Sequence, residues 1–248
     1  MYQYCIKAGL ALGADIETQL SACGALRIQN IELDASIGGC SLDSLDGEQV
    51  ERIRNLLIGN LQRIVLLDCD FSEFSDDRMN LLFRRAMALG VETVNCLPPA
   101  GCTMEEFDAL LWRLLPIARS YGLVITVENR RASVLSGEEE VGGLLWRHRQ
   151  ANLGVVFNPL EFAAERRHPF FHVFYHCRWK GAIRMLRVND GLFADGSSMP
   201  LLEGNAELKE MVSALLARSF NGYFSFLPEG PAQAAGAIRR FQALLSEI

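Results

Sequence analysis

The chain has 248 residues, half of them hydrophobic and 22% charged, with a formal net charge of −6. This composition provides a large apolar core and excludes a disordered chain. The acidic balance argues against nucleic acid and anionic membranes as partners, because both require clustered Lys and Arg. The length suits one α/β barrel, so we expect a single domain over residues 1–248.

The cysteines and the N-terminal residues predict where the protein resides. Seven cysteines are scattered along the chain, without a Cys-x-x-Cys pair or the spacing of a zinc finger. The N-terminal stretch lacks the basic and long apolar regions of a signal peptide, and no apolar run approaches a membrane span. We therefore expect a cytoplasmic protein with reduced thiols and no membrane partner.

In chain order, an amphipathic helix, a glycine and a short apolar run recur. The first helix is expected from about Asp15 to Cys23, ending at Gly24, and a weaker second helix over 48–60. The apolar runs predict eight strands, near 2–8, 28–34, 63–67, 92–97, 123–128, 153–158, 183–188 and 222–227. Their spacing of about thirty residues matches an eight-unit barrel.

The third and fourth helices have the clearest boundary signals. Ser75 can cap a helix that ends at Gly90. Thr103 and Glu106 form a capping box, and apolar residues then recur at helical spacing as far as Gly122. The β-branched run LVITVE that follows is typical of a parallel strand covered by helices on both faces.

These units predict a single (β/α)8 TIM barrel. The alternative is an open doubly wound sheet, which would show a G-x-G-x-x-G loop after the first strand, and the stretch AGLALGAD does not match it. Residues 162–180 are ambiguous, because aromatic residues and histidines obscure the helical period there. Residues 189–203 lack a clear helix or strand, and are either a lid over the catalytic face or a plain surface loop.

Barrel enzymes place their working residues at the C-terminal ends of strands, and Glu128 is the strongest candidate there. Apolar and β-branched residues precede it, so its carboxylate is expected where the barrel interior meets solvent. An inward Glu128 would place Thr126 on the same face, since side chains alternate along a strand. The alternative is an outward carboxylate that pairs with Arg130 or Arg131.

Arg187 is the second candidate catalytic residue, because it brings a fixed positive charge to the end of the seventh strand. It could hold a carboxylate or phosphate, neutralise Glu128, or form a purely structural ion pair. Lys7 and Glu32 lie at or near the ends of the first two strands, and we expect both to contact a ligand. Asp190 is a further candidate contact, although its Asp-Gly pair is also typical of a turn that caps a loop.

The four histidines do not end strands. His172 and His176 are four residues apart and could share a helix face as a metal-binding pair. They lie among aromatic residues, away from the expected catalytic face, so we expect a packed or surface helix instead.

Several segments, taken in order, resemble the xylose-isomerase-like barrel superfamily, which includes sugar isomerases, keto-sugar epimerases, inosose dehydratases and the endonuclease IV group. The segments are LSACGALRIQNIEL, AMALGVETVNC, IARSYGLVITVEN, GVVFNPLEF, RMLRVNDG and PLLEGNAELKEMVSALLARSFNGYFSF. The resemblance covers nearly the whole chain. It implies a TIM barrel with a functional site at the strand ends.

Active members of that superfamily usually hold one divalent cation with Glu, Asp, His and Glu on strands five to eight. By position Glu128 matches the first ligand, but Asn158, Arg187 and Leu227 stand at the other three. A hard cation prefers several oxygen or imidazole ligands, preferably anionic. We therefore expect that the usual metal site is lost and that no cofactor is bound. A multi-zinc nuclease is expected even less, because it needs many histidines.

The resemblance also implies further ligand contacts. Asn158 is one, and Glu161 is another, since it stands where the superfamily often has a substrate-contacting histidine. Glu161 and Glu229 are the two carboxylates that could rebuild a shifted metal site.

Two functions are compatible with this sequence. The first is a sugar isomerase- or epimerase-like enzyme that works without the usual metal, with Glu128 as the acid–base group and Arg187 holding an anionic or hydroxylated substrate. The second is a non-catalytic descendant that binds a small ligand or another subunit. In both cases the expected partner is a small, sugar-like molecule, and the chain could form a homo-oligomer.

Overall fold

Eight parallel strands close into a barrel in the computed structural model of the protein, which describes residues 3–9, 12–37, 39–151 and 153–248. The strands are β1 (Gln3–Lys7), β2 (Asn30–Asp34), β3 (Arg63–Asp70), β4 (Thr93–Leu97), β5 (Val124–Glu128), β6 (Gly154–Phe157), β7 (Ile183–Arg187) and β8 (Tyr223–Phe226). Neighbouring strands pair in chain order, and β8 pairs with β1 so that Tyr223 lies opposite Gln3. This closure confirms the (β/α)8 TIM barrel and excludes the open sheet.

All eight predicted strands are confirmed, and one of them is longer than predicted. Strand β3 continues to Asp70 rather than ending near 67, so Asp68 lies inside the strand and not after it. Residues 64–69 are all buried, because this strand is covered on both faces. Tyr2, at the start of the first predicted strand, lies outside the described residues.

The outer layer of the barrel is helical. In the described residues its α-helices are α1 (Ile16–Ala25), α2 (Gly47–Gly59), α3 (Asp76–Ala88), α4 (Met104–Ser120), α5 (Glu138–Arg147), α6 (Pro159–Ala163), α7 (Leu208–Leu216) and α8 (Pro231–Glu247). The first helix runs slightly further than predicted, since Gly24 lies within α1. None of these helices is long and apolar enough to cross a membrane.

The predicted capping signals are confirmed. The Ser75 side chain accepts a hydrogen bond from the third residue of α3, and Thr103 and Glu106 form a reciprocal capping box at the start of α4. Gly90 and Gly122, which follow these helices, have φ angles of +73° and +72°. This left-handed conformation carries little steric cost for glycine, so both positions end a helix and direct the chain into the next strand.

The ambiguous segment between β6 and β7 is not one regular helix. After α6 it forms a π-helical turn over Pro169–Phe174 and a 3-10 turn over Lys180–Ala182. The Phe157 ring centroid lies 5.6–6.0 Å from those of Phe162, Phe174 and Trp179. Packing of these rings determines the backbone path here, which explains why no helical period is visible in the sequence.

Candidate functional site at the barrel mouth

A hydrogen-bonded polar cluster fills the C-terminal end of the barrel, and each strand, or the residue directly after it, contributes a member. We call it the mouth cluster; its members are Lys7, Glu32, Asp68, Asn95, Thr126, Glu128, Asn158, Arg187 and Ser225. The parallel strands all run in one direction, so their C-terminal side chains meet at the same end. Alternation along each strand then brings these residues into the interior.

Arg187, at the end of β7, is the centre of the mouth cluster and is only 1% exposed. Its Nε and Nη2 atoms lie 3.2 and 2.8 Å from the two carboxylate oxygens of Glu128. Its Nη1 atom donates to Glu32 at 2.5 Å and to Ser225 at 3.0 Å, and Nη2 lies 3.6 Å from Asp68. Side chains of the protein itself therefore accept hydrogen bonds from all three nitrogens of the guanidinium.

Lys7 is the second cation of the mouth cluster. Its ammonium group forms an ion pair with Asp68, and lies 2.9 Å from Asp34 and 3.9 Å from Glu32. The Lys7 and Asp34 side chains are partly exposed, whereas those of Glu32 and Asp68 are buried. Lys7 and Asp34 thus link the buried charges to solvent at the C-terminal face.

Asn95, on β4, orients two of the carboxylates. Its amide nitrogen donates to Asp68 at 2.7 Å and to Glu128 at 3.2 Å. Its carbonyl oxygen accepts a hydrogen bond from the Thr126 hydroxyl at 3.1 Å. Because both ends of the amide are engaged, its orientation is fixed by the network.

Asn158 follows β6 and holds Glu128 from the opposite side. Its amide nitrogen donates to Glu128 at 3.0 Å. Its backbone N–H donates to the Asn129 side chain at 2.8 Å, and the Asn129 amide donates back to the Asn158 carbonyl at 2.8 Å. This reciprocal pair ties the ends of β5 and β6 together and positions Asn158.

The mouth cluster contains three carboxyl groups and two cations, so the carboxyl groups cannot all be equally stabilised as anions. Burial raises the pKa of Glu32 to about 7, and the Asp68 charge adds to this despite the opposing effects of Arg187 and Lys7. Burial also disfavours the Asp68 anion, but Arg187 and Lys7 outweigh it and hold the pKa of Asp68 well below its usual range. Of these two carboxyl groups, Glu32 is therefore the one that more readily takes up a proton near neutral pH.

Both cations are held in the charged form. Burial by itself would lower the pKa of Lys7, but the nearby Asp68 and Glu32 carboxyl groups raise it above its ordinary value. The pKa of Arg187 is likewise raised despite burial, chiefly by Glu128. The positive charge of the mouth cluster is therefore permanent over the whole physiological range.

Five of the residues predicted to form the site converge in this cluster, namely Lys7, Glu32, Glu128, Asn158 and Arg187. Glu128 faces inward together with Thr126, as alternation predicts, and does not pair with the neighbouring arginines. The roles assigned to these residues, catalytic for Glu128 and Arg187 and ligand-binding for the rest, stay predictions.

Asp190, predicted as a ligand contact or a loop cap, organises the loop after β7. Its carboxylate oxygens accept hydrogen bonds of 2.9–3.0 Å from backbone N–H groups of the same loop, at positions 191, 202, 204 and 206. A carboxylate offers about four acceptor positions, so the backbone occupies them. The loop also contains a short ribbon in which Asp190–Gly191 pairs with Ser198–Met199.

Glu161 and Glu229 do not join the mouth cluster. Glu161, on α6, accepts the backbone N–H of Arg131 at 2.8 Å, and Glu229 lies in the exposed loop after β8. Within the described ranges, no group of three or more His, Cys, Asp or Glu side chains is arranged to hold a metal ion.

Sequence reasoning missed Ser225 as a member of the cluster. Its hydroxyl donates to Glu32 at 2.7 Å and accepts from Arg187 at 3.0 Å. The available signal was its position in the YFSF strand, where one small polar residue stands between two phenylalanines. Alternation makes it the inward residue, facing the charges from β2 and β7.

Comparison of the sequence with protein-family models and with curated proteins found no match. Solved structures do match the fold. The chain is similar to a D-tagatose 3-epimerase-like protein at a TM-score of 0.81 and 14% identity, covering 98% of this chain and 97% of that one. It is similar to a xylose isomerase domain-containing protein of Salmonella typhimurium at a TM-score of 0.74 and 19% identity, covering 98% and 97%.

A third structure, from Mycobacterium smegmatis, is a xylose isomerase-like TIM barrel protein in complex with magnesium. The TM-score is 0.74 at 14% identity, with 99% of this chain and 97% of that chain covered. The structural neighbours of this chain are thus xylose-isomerase-like TIM barrels, and the predicted resemblance is confirmed at the level of the fold.

Proposed function

We propose that this chain is a divergent sugar isomerase- or epimerase-like barrel protein that binds a small polyhydroxylated or anionic ligand at the C-terminal face, without a divalent cation. The observation that supports this proposal is the position of the Arg187 guanidinium, which lies among Glu32, Asp68 and Glu128. In this proposal Arg187 supplies the positive charge that a metal ion supplies elsewhere.

The donor set of the mouth cluster does not suit a divalent cation. Both oxygens of Glu128 already bind the guanidinium, and Asp68 is paired with Lys7. A cation close enough to share these carboxylates would also lie close to the Arg187 charge, and the repulsion would be strong in this buried environment. Asn158 adds only a neutral amide. No step of the proposed function therefore requires a metal.

Glu128 is the best acid–base candidate of the three buried carboxyl groups. Its side chain is 7% exposed, whereas those of Glu32 and Asp68 are 0% and 1% exposed. An isomerase or epimerase needs a group that moves a proton at the substrate, and such a group must reach the ligand. Lys7 and Asp34 lie nearer to solvent and would contact hydroxyl or anionic groups of the ligand.

The hydrogen bonds of Glu128 favour a second candidate function, a binding protein without turnover. Arg187, Asn95 and Asn158 all donate to this carboxylate. These donors occupy both carboxylate oxygens, which would otherwise be available to a substrate proton. A barrel with this network could retain the ligand site and lose the chemistry.

Metal analysis and a sugar screen test the proposal. Protein purified without chelator should hold no stoichiometric Mg, Mn or Zn, and EDTA should leave its Tm unchanged. Sugars and polyols should stabilise the protein in a thermal-shift screen, because a ligand that binds only the folded state raises the Tm. Stoichiometric metal, or the absence of binding by every sugar, would contradict the proposal.

Turnover distinguishes the two candidate functions. Conversion of a bound sugar that is lost in Glu128→Gln but kept in Glu105→Gln would identify an enzyme. Glu105 is a suitable control because it is an exposed carboxylate in the first turn of α4 that does not join the mouth cluster. Stabilisation without conversion would identify the binding protein.

A further inference from the structure

A cleft of about 420 Å³ lies at the C-terminal ends of β7 and β8, beside the barrel axis rather than on it. Arg187 and Ser225 point inward, so the next residues, Val188 and Phe226, point outward. Both line the cleft, and the Phe226 ring lies 5.4 Å from that of Phe241 on α8. None of the residues that line the cleft belongs to the mouth cluster.

One face of α8 forms a wall of the cleft. Its residues there are Gln233, Gly236, Ala237 and Arg240, and their spacing of three, four and seven places them on one side of the helix. Gly236 leaves this wall open, since a Cβ atom at this position would meet no heavy atom within 4 Å.

The loop after β7 forms the opposite wall through residues 198–201. Asp190 holds this loop through its four backbone hydrogen bonds. Arg240 fixes it to α8, because its guanidinium pairs with Glu203 and lies 3.4 Å from the Leu201 carbonyl oxygen. The cleft thus lies between α8 and a loop that the hydrogen bonds to Asp190 hold together.

The lining of the cleft indicates the chemistry of its ligand. Val188, Leu201 and Phe226 provide a buried apolar floor, and Asn189, Ser198 and Gln233 provide polar groups around it. Pairing with Glu203 compensates the charge of Arg240, and the backbone occupies the Asp190 carboxylate. The exposed Glu229 carboxylate also lines the cleft, where it disfavours an anion and can accept a hydrogen bond from a ligand hydroxyl. A ligand with an apolar face, hydroxyl groups and no net charge fits this surface.

We propose that this cleft is a binding site for a neutral hydroxylated ring compound, separate from the mouth cluster. Its volume falls within the range of about 300–1,000 Å³ that is usual for small-molecule sites. The inference goes beyond the function proposed above, since it concerns the outer side of β7 and β8 and does not depend on Arg187 or Glu128.

Methionine-methyl NMR of the intact protein locates the ligand directly. Met199 lines the cleft, whereas the Met185 sulfur lies 4.0 Å from Arg187 Nη1, inside the barrel. Titration with myo-inositol, D-glucose and D-fructose should shift the Met199 signal and leave the Met185 signal in place. A shift of Met185 alone would place the ligand at the mouth cluster, which overturns the cleft proposal and leaves the proposed function standing. No shift with any of these probes would also overturn the cleft proposal.

Variants at one position provide the matched test. Gly236→Trp should fill the cleft and abolish the Met199 shift, while Gly236→Ala should retain it, because the added methyl group enters open space. A Gly236→Trp protein that still shows the full Met199 shift would overturn the proposal. The titration of the unaltered protein remains decisive if the tryptophan variant does not fold.

Discussion

Arg187 and Glu128 form a bidentate ion pair inside the barrel, with Nε and Nη2 lying 3.2 and 2.8 Å from the two carboxylate oxygens. This fork-to-fork geometry requires a planar guanidinium that faces the carboxylate. A lysine at the same position could supply the charge but not the two parallel hydrogen bonds. The pair therefore fixes the orientation of the β5 and β7 ends as well as their charge.

Removing the central cation should destabilise the protein. Arg187→Met leaves Glu32, Asp68 and Glu128 buried with Lys7 as the remaining cation, and an uncompensated buried charge lowers the free energy of unfolding by about 3–5 kcal/mol. Urea denaturation at neutral pH measures the loss. The control Arg54→Met removes an exposed ion pair with Glu51, and should cost less than about 1 kcal/mol. Equal losses in the two variants would contradict a stabilising role for Arg187.

Because of Glu32, the free energy of unfolding should fall as pH rises from about 4.5 to 7. Its pKa is raised from 4.5 to about 7 in the folded protein, so folding takes up a proton in this window. The contribution of protonated Glu32 to the free energy of unfolding is complete below pH 4.5 and is lost as pH rises through 7. Between pH 4.5 and 7, the free energy of unfolding of Glu32→Gln should therefore rise relative to that of the wild type by up to about 3 kcal/mol.

Urea denaturation of both proteins at a series of pH values checks the Glu32 prediction. The exposed Glu229→Gln serves as the control and should follow the wild-type curve. Asp68 acts in the opposite direction, because its lowered pKa adds stability that is lost only as pH falls below its ordinary value of 3.8. Parallel curves for the wild type and Glu32→Gln would show that Glu32 does not titrate in this window.

Asp190 should control the order of the loop after β7. Asp190→Ala removes the acceptor of four backbone hydrogen bonds, and losing charge-assisted bonds of this kind should cost about 2–3 kcal/mol. Limited proteolysis should then cut residues 191–206 faster than in the wild type. Asp195→Ala is the control in the same loop, since the hydrogen bonds of that carboxylate are local and come from the neighbouring Ser197. Equal rates of cleavage in the two variants would refute the prediction.

Exchanging the central charge should create a metal site. The double variant Arg187→His/Asn158→Asp removes the competing cation and adds an imidazole and a carboxylate next to Glu128, a donor set that suits Mn²⁺ or Zn²⁺. Mn²⁺ should then raise the Tm of the double variant and leave that of the wild type unchanged. Isothermal titration gives the stoichiometry, with Arg187→His alone as the intermediate. A double variant that binds no metal would show that Arg187 is not what prevents coordination.

The strand ends could be predicted from the sequence because their signals are local. The alternation of Thr126 and Glu128 and the β-branched run before them are visible within a few residues. The partners of Arg187 could not be predicted in the same way. Its ion pair with Glu32 joins residues 155 apart in the sequence, and only the closed barrel brings β2 and β7 within reach.

The hydrogen-bond partners of Asp190 are a second feature that could not be predicted from the sequence. Its Asp-Gly pair predicts a turn, but three of its four backbone partners lie 12 to 16 residues further along the chain. Such a loop is defined by one carboxylate and not by a helical or strand period. The segment between β6 and β7 is similar, since ring packing around Phe157 replaces a regular period there.

The position of Arg187 also affects how the barrel depends on its surroundings. A bound ion can be stripped by a chelator, diluted away or exchanged for the wrong metal. The guanidinium is covalently part of β7 and remains charged at any pH at which the protein is folded. The charge that joins the strand ends is thus part of the polypeptide from translation onward, and it is in place as soon as β2, β5 and β7 come together.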